Sequence, residues 1–188
     1  MTVETIISIC LGIGLAASVG FRVFLPLFAL SLASYFDIWY LNESWQWIGS
    51  TTALITLGVA TVVEIFAYFI PYIDNLLDSI SVPLAALAGT AVMLSTVSDL
   101  SPVITWALAI IAGGGTAAAI SGTSATTRLA STSTTGGLAN PLVSTLETAT
   151  ALIMSVISIF LPVLAIVLVV LLFFIINKVY KKFRPTKT

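Results

Sequence analysis

The sequence predicts an all-α integral membrane protein, and three observations carry that prediction. Of its 188 residues, 59% are hydrophobic and only 8% charged, with a mean hydropathy of +1.13; a soluble domain carries about a quarter charged residues. Its apolar runs reach bilayer length. Val163 to Ile176 holds no polar side chain and Thr51 to Ile70 a single charge, against the ~20 residues that cross a hydrocarbon core. Of the seven basic residues, Lys178, Lys181, Lys182, Arg184 and Lys187 lie in the last eleven positions, while Arg22 and Arg128 sit inside Gly/Ser-interrupted apolar segments. Charges at that depth cost at least roughly 2.5–3.5 kcal/mol to insert, so they face a bundle interior, a paired acid or a water-filled path.

Each element follows from its own residues. The apolar amino terminus lacks a basic n-region and carries Glu4, so it is read as a retained span rather than a signal peptide. Thr5 to Ala33 is too long for one straight crossing, and Gly20, Arg22 and Pro26 predict a break near Gly20. Tyr35 to Ser50 has Trp39, Tyr40, Trp45 and Trp47 with no basic residue, the composition of a non-cytoplasmic aromatic belt. A second span is expected from Thr51 to Ile70, ended by Pro71. A short segment then holds Asp74 and Asp78 one helical turn apart. A third span is expected from Val82 to Val97 and a fourth from Val103 to Ile120.

Ser121 to Asn140 departs from this pattern. Ten of the seventeen residues from Ser121 to Gly137 are Ser or Thr, and hydroxyls can satisfy broken backbone at membrane depth, so a re-entrant or cavity-lining segment is expected. Leu142 to Asn177 divides at Pro162 into two helices. The count is then about six crossings in a single transmembrane domain over 1–188, with both termini cytoplasmic in the inner (plasma) membrane and a basic tail at 178–188. A kinked single helix at Pro162 would instead give five.

A faint echo links Gly14 to Arg22 with Gly115 to Arg128, and Pro71-x-x-Asp74 with Pro141-x-x-Ser144. It admits an inverted repeat with halves 1–100 and 101–178, an arrangement that places a binding site at the repeat interface.

Gly20-x-Arg22, Pro71-x-x-Asp74-x-x-x-Asp78 and the Arg128 segment ending in Asn140-Pro141 together resemble a family of uncharacterised bacterial integral membrane proteins, domain of unknown function 4126. The resemblance covers nearly the whole chain and supports the architecture. It implies no activity. Relatives often place an acid–base pair where this chain has Tyr68-Phe69, and a histidine and lysine shortly before the second arginine, where this chain has Ala, Ser and Thr. A His or Lys proton relay is therefore not expected here.

The candidate substrate-binding residues are Arg22, Arg128, Ser124, Thr127 and Asn140, and the candidate ion-coupling residues are Glu64, Asp74, Asp78 and Glu147. Each has a plainer reading. Arg22 and Glu64 can simply pair within the bundle, Arg128 can mark the cytoplasmic side, and Asp74 and Asp78 can cap a helix. Gly114, Ala118 and Gly122 are spaced as a helix-packing face. Cys10 reads as a small core residue. With no histidine, one cysteine and a net charge of −1, no catalytic residue, metal, cofactor, disulfide or nucleic-acid partner is expected. The expected partners are membrane lipids and a small solute or ion, and a homo-oligomer stays open. The leading expectation is a small-solute transporter or channel for an anionic or phosphate-bearing ligand. The alternatives are a lipid-headgroup-binding or lipid-translocating protein and a non-transporting assembly protein.

Overall fold

The structure is a computed structural model that describes residues 2–183, without the side chains of Pro71, Tyr72, Asn75, Val179, Tyr180, Lys182 and Phe183. Arg184 and Lys187 of the basic tail lie outside the described residues. Among the described residues the chain is helical, with no strand. Its elements are α1 (Val3–Val19), α2 (Phe24–Tyr35), a 3-10 turn (Glu43–Gly49), α3 (Thr51–Ala67), α4 (Pro71–Thr96), α5 (Pro102–Leu108), a π turn (Ala109–Gly114), α6 (Gly115–Thr135), α7 (Asn140–Phe160) and α8 (Pro162–Phe183). The starts are chemically marked. Thr5 N–H and Ala53 N–H donate to the Thr2 and Ser50 hydroxyls at 3.2 Å, and α4, α5 and α8 open on proline, whose missing N–H is no loss there. Gly136 and Gly137, at φ 63° and 86°, end α6 in a conformation that larger residues resist.

The interior mixes large apolar side chains such as Leu11, Leu15, Leu30, Met93 and Ile120 with many small and hydroxyl ones, while a wide set of large apolar side chains faces out. Ala16, Ala17, Ser18, Ala117, Ser144, Ala151, Ser155, Ser158 and Ala165 are fully buried, while Val59, Val63, Phe66, Leu87, Ile111, Val170 and Phe174 are exposed. Lipid gives large side chains no reason to hide, so close backbone packing decides the interior. The Ser18 hydroxyl donates to the Ala151 carbonyl at 2.6 Å. The π turn presses Gly113 and Gly114 onto α4, where a Cβ added at Gly113 would stand 2.6 Å from the Gly89 carbonyl oxygen. The expected packing face is therefore shifted. Gly114 belongs to it, but a Cβ on Gly122 would meet open space, and Ala117 rather than Ala118 is the residue buried against neighbours. Among the described residues, three helices are long and apolar enough to cross a bilayer: Leu76–Thr96, Pro102–Thr135 and Asn140–Phe160. The 3-10 turn and α3, bent by 64°, make a fourth only where the pair is counted as one span, and α1, α2 and α8 are shorter apolar helices. Long apolar helices with an apolar exterior mark a multi-pass membrane protein.

The path through the bundle corrects several expectations. α1 does break at Gly20, but the chain then turns back on itself. Gly14 lies against Ser158, Gly20 against Ala117 and Ile120, and after α2 the Trp39 indole N–H donates to the Ile159 carbonyl at 2.8 Å. Residues 14 and 39 thus flank the same turn of α7, so α1 and α2 form a helical hairpin whose tip, Gly20 to Val23, is buried inside the protein. The Asn42 N–H donates to the Ser95 carbonyl at 2.9 Å, which puts the aromatic segment at that same end. α3 leads to the opposite end, α4 returns, α5 and α6 cross over, α7 returns, and α8 runs back along α7, its Leu172 and Ile176 beside Val143 and Leu146. The start of α1 and the carboxyl end of α8 therefore lie at opposite ends, against the expectation of two termini on one side. α4 runs unbroken from Pro71 through Pro83, so Pro71 to Ser81 is not a separate segment before a span at Val82. Ser121 to Thr135 is regular helix rather than re-entrant chain, and the cavity-lining alternative holds for Ser121, Ser124 and Arg128, which line a polar pocket. Six of its Thr and Ser hydroxyls return bonds to carbonyls three or four residues back, as Thr123 does to Ala119 and Thr127 to Thr123 at 2.9 Å, which lets a polar sequence remain helical in lipid. The echo also changes meaning, because α1 and α6 run the same way, as do α4 and α7. The related segments are parallel, not inverted.

Candidate functional site

The buried hairpin tip is held by α3. Val23 N–H and Phe24 N–H, at the start of α2, donate to the two carboxylate oxygens of Glu64 at 2.8 and 3.0 Å. These are N–H groups that α2 cannot satisfy itself, at the positive end of its dipole. Glu64 is thus the cap of a helix that has no capping side chain of its own, and Arg22 makes its direct ion pair with Glu147 rather than with Glu64. The break turns Arg22, 1% exposed, toward α7. Its Nε donates to the Thr148 hydroxyl at 3.0 Å, its Nη2 to the Ser144 carbonyl at 2.9 Å and to the Ser144 hydroxyl at 2.6 Å. Its Nη1 lies 3.4 Å from Glu147 Oε2.

Arg128 on α6 is the second centre, 2% exposed. It is hydrogen-bonded and ion-paired to Asp74 of α4 and to Glu147 of α7, and its Nε stands 3.7 Å from Asp78 Oδ1. Ser124, one turn earlier on α6, donates its hydroxyl to Glu147 Oε1. Both guanidiniums lie on one aromatic ring. Arg22 Cζ is 4.0 Å and Arg128 Cζ 4.4 Å from the centre of Tyr68, an arrangement in which the ring's negative face supports two like charges. Among the described residues, Glu147 is the carboxylate that meets both arginines. The charges are two guanidiniums against Glu64, Asp74, Asp78 and Glu147. Glu64 is offset by the α2 terminus, and Asp78, its side chain 19% exposed, is the most loosely held of the rest. Arg128 lies seven residues before the end of α6 and Glu147 seven after the start of α7, about 10 Å deep at 1.5 Å per residue from the basic end of the bundle, where α8 finishes with Lys178 and Lys181.

Arg22, Glu64, Tyr68, Asp78, Ser124, Arg128 and Glu147 surround one small polar pocket with about 10 Å³ of free space, room for a single water. The other predicted residues lie around it. Thr127 lines a groove of about 250 Å³ between α6, α7 and α8, which Glu147 and Ser124 also border. Asn140 and Asp74 line a depression of about 160 Å³ at the basic end, where Asn140 Nδ2 donates to Asp74 Oδ2 and to the Thr132 hydroxyl at 3.1 Å. Arg128 is no surface marker of topology. Cys10 is half-buried and away from the site.

Sequence reasoning missed Tyr68, Ser144 and Thr148. The signal for Ser144 was present, since Ser144, Glu147, Ala151, Ser155 and Ser158 recur at helical spacing as a small and polar stripe in an otherwise large apolar helix, and Thr148 follows Ser144 by one turn. Tyr68 follows Glu64 by four residues, which places it on the same face.

No curated protein and no solved structure matches this chain. The family described as domain of unknown function (DUF4126) matches residues 9–182, spanning the hairpin, both arginines and all four carboxylates of the cluster. The chain belongs to that family.

Proposed function

We propose that this protein is a multi-pass membrane transporter or channel for a small anion, with Arg22 and Arg128 as its binding groups. The observation that carries the reading is that two buried guanidiniums, delivered by a broken helix and by α6, converge on one ring and one carboxylate at a small polar pocket. Fixed, desolvated guanidiniums recognise oxyanions bidentately. The reading also takes α3, α4, α5–α6, α7 and α8 as five crossings, with α1–α2 a re-entrant hairpin whose tip carries Arg22. Irregular backbone at membrane depth is tolerated where it is buried in protein or lines a cavity.

Two measurements test it. In proteoliposomes loaded with an anion gradient, Arg22→Gln is expected to lower flux at least tenfold while the melting temperature stays near that of the parent, because Glu147 keeps its Arg128 partner. Wild-type flux no greater than that of empty liposomes removes the transport reading, and a lowered melting temperature with unchanged flux favours an assembly role. In a Cys10→Ser background, single reporters at Thr2→Cys and Ser44→Cys are expected to label from the outside and Thr186→Cys from the cytoplasm, following the positive-inside bias. Labelling of Thr2→Cys and Ser44→Cys from opposite sides would remove the hairpin topology.

A groove of about 450 Å³ between α3 and α4, lined by Val59, Val63, Leu77 and Ile80 and ending at Glu64, Tyr68 and Ser81, supports a second reading in which an amphipathic lipid enters sideways. Flux of a lipid with no flux of a small anion would favour it.

A further inference from the structure

The pocket is already filled by the protein's own anion. About 10 Å³ of free space leaves no room beside Glu147, and four carboxylates already outnumber two guanidiniums, so an external anion cannot add to this cluster. It can only replace a carboxylate. Glu147 is the one whose position an anion would have to take, because it meets both arginines. It also has somewhere to go. Glu147 forms part of the wall between the pocket and the groove of about 250 Å³ between α6, α7 and α8, where Thr123, Thr127 and Thr150 present hydroxyls. Those hydroxyls have committed their protons to the carbonyls of Ala119, Thr123 and Leu146 at 2.8–2.9 Å. They can therefore accept a hydrogen bond but not donate one. That chemistry receives a protonated carboxyl, which donates, and rejects a carboxylate, which needs donors. In the pocket the preference is reversed, since Ser124, Arg22 and Arg128 all donate to Glu147 or bear positive charge toward it.

Resting on the anion-transport reading, we infer that Glu147 is a protonatable plug: it leaves the arginines for the largely apolar groove that carries Thr123, Thr127 and Thr150 when it takes up a proton, and a small monovalent oxyanion of about carboxylate size takes its place. One proton adds to the Glu147 carboxylate and one anion enters, so the buried charge is unchanged. Either event alone would leave two guanidiniums short of a partner or crowd three anions onto them, and unpaired buried charge is what a bundle interior resists. Uptake is therefore coupled one to one. The other groups facing Glu147 are accounted for. Arg22 comes from the hairpin tip, Tyr68 and Glu64 from α3, Asp74 and Asp78 from α4, and Arg128 from α6, while α8 brings apolar Leu172 and Ile176. Asp74 keeps Arg128 company when Glu147 leaves, so the site does not collapse.

Nitrate is the suitable probe, because its own charge does not change between about pH 5.5 and 7.5 and any pH dependence then belongs to the protein. Calorimetric titration of the purified protein is expected to show nitrate affinity rising by up to about tenfold for each unit of pH lowered. Repeating it in buffers of different ionisation enthalpy should show one proton taken up per nitrate. Glu147→Gln, a permanent mimic of the neutral side chain, is expected to bind nitrate without pH dependence and without proton uptake, at least as tightly as the wild type at its most acidic point. Should that variant fail to fold, Thr127→Val with Thr150→Val tests the same idea away from the arginines. Loss of the acceptors is expected to weaken nitrate binding several-fold at every pH while proton uptake persists. Wild-type binding that ignores pH and takes up no proton overturns the plug and leaves the anion reading standing. Absence of nitrate binding in both wild type and a folded Glu147→Gln overturns both.

Discussion

Arg128→Gln is expected to destabilise the folded protein by roughly 3–5 kcal/mol, the usual cost of removing one partner from a buried ion pair. The cost arises from what the arginine leaves behind rather than from the bond it makes. Asp74 and Glu147, both nearly sealed from solvent, lose their main cation together, and Asp78 loses its nearest one. α4, α6 and α7 are joined at this point by side chains alone, so the loss reaches three helices. Arg128→Lys is expected to recover little, since an ammonium cannot fork between Asp74 and Glu147 as the guanidinium does. Adding Glu147→Gln to Arg128→Gln should return part of the stability, because one orphaned carboxylate is gone, and the double-mutant cycle should show coupling of opposite sign to the single losses. Thermal unfolding of the detergent-solubilised variants measures all of this. A glutamine variant that melts with the wild type would mean that Arg128 is solvated in the membrane-embedded protein, and the cluster would lose its claim to be a closed site.

Much of this was written in the sequence, and the boundary between what was legible and what was not has a physical basis. Charges deep in apolar segments have few destinations, so Arg22, Arg128, Glu64, Asp74, Asp78 and Glu147 could be picked out one by one. Their pairing could not, because several acids compete for each arginine and the winner is set by the path of the backbone. The decisive local event is the reversal at Gly20 to Val23. Gly20 and Pro26 announce a break, yet a kink and a complete turn leave the same residues in the sequence. Only the reversal exposes the two N–H groups of Val23 and Phe24 to α3, and that claims Glu64 and releases Arg22 to α7. The Ser/Thr run from Ser121 to Thr135 misled for a related reason. Hydroxyls serve a broken backbone and an intact one equally well, and here Thr123, Thr126, Thr127, Ser133, Thr134 and Thr135 bond back along their own helix. Tyr68 was legible only as a neighbour of Glu64 on one helix face, because an aromatic residue at a helix end is ordinary until two guanidiniums are found over its ring.

Glu64→Ala is expected to loosen the hairpin that carries Arg22, and to do so by a route that no ion pair explains. The alanine leaves the N–H groups of Val23 and Phe24 without acceptors inside the protein, at roughly 1–3 kcal/mol for each buried group left unsatisfied. It also removes a negative charge from the positive end of α2. Glutamine keeps one carbonyl oxygen that can accept from one of the two N–H groups, so the melting temperatures should fall in the order wild type, Glu64→Gln, Glu64→Ala. The local effect should be sharper than the global one. Amide hydrogen exchange in the alanine variant is expected to rise at Val23 and Phe24 and through the first turn of α2, while α6 and α7, joined by Arg128 and Glu147, keep their protection. Anion flux should fall along with the order of the hairpin tip, because Arg22 stands one residue before the uncapped amides and its bonds to Ser144 and Thr148 depend on where that tip is held. The alternative, that Glu64 acts as an ionic partner of Arg22, makes a different forecast. Charge alone would then matter, glutamine would be as damaging as alanine, and exchange at the start of α2 would not be singled out.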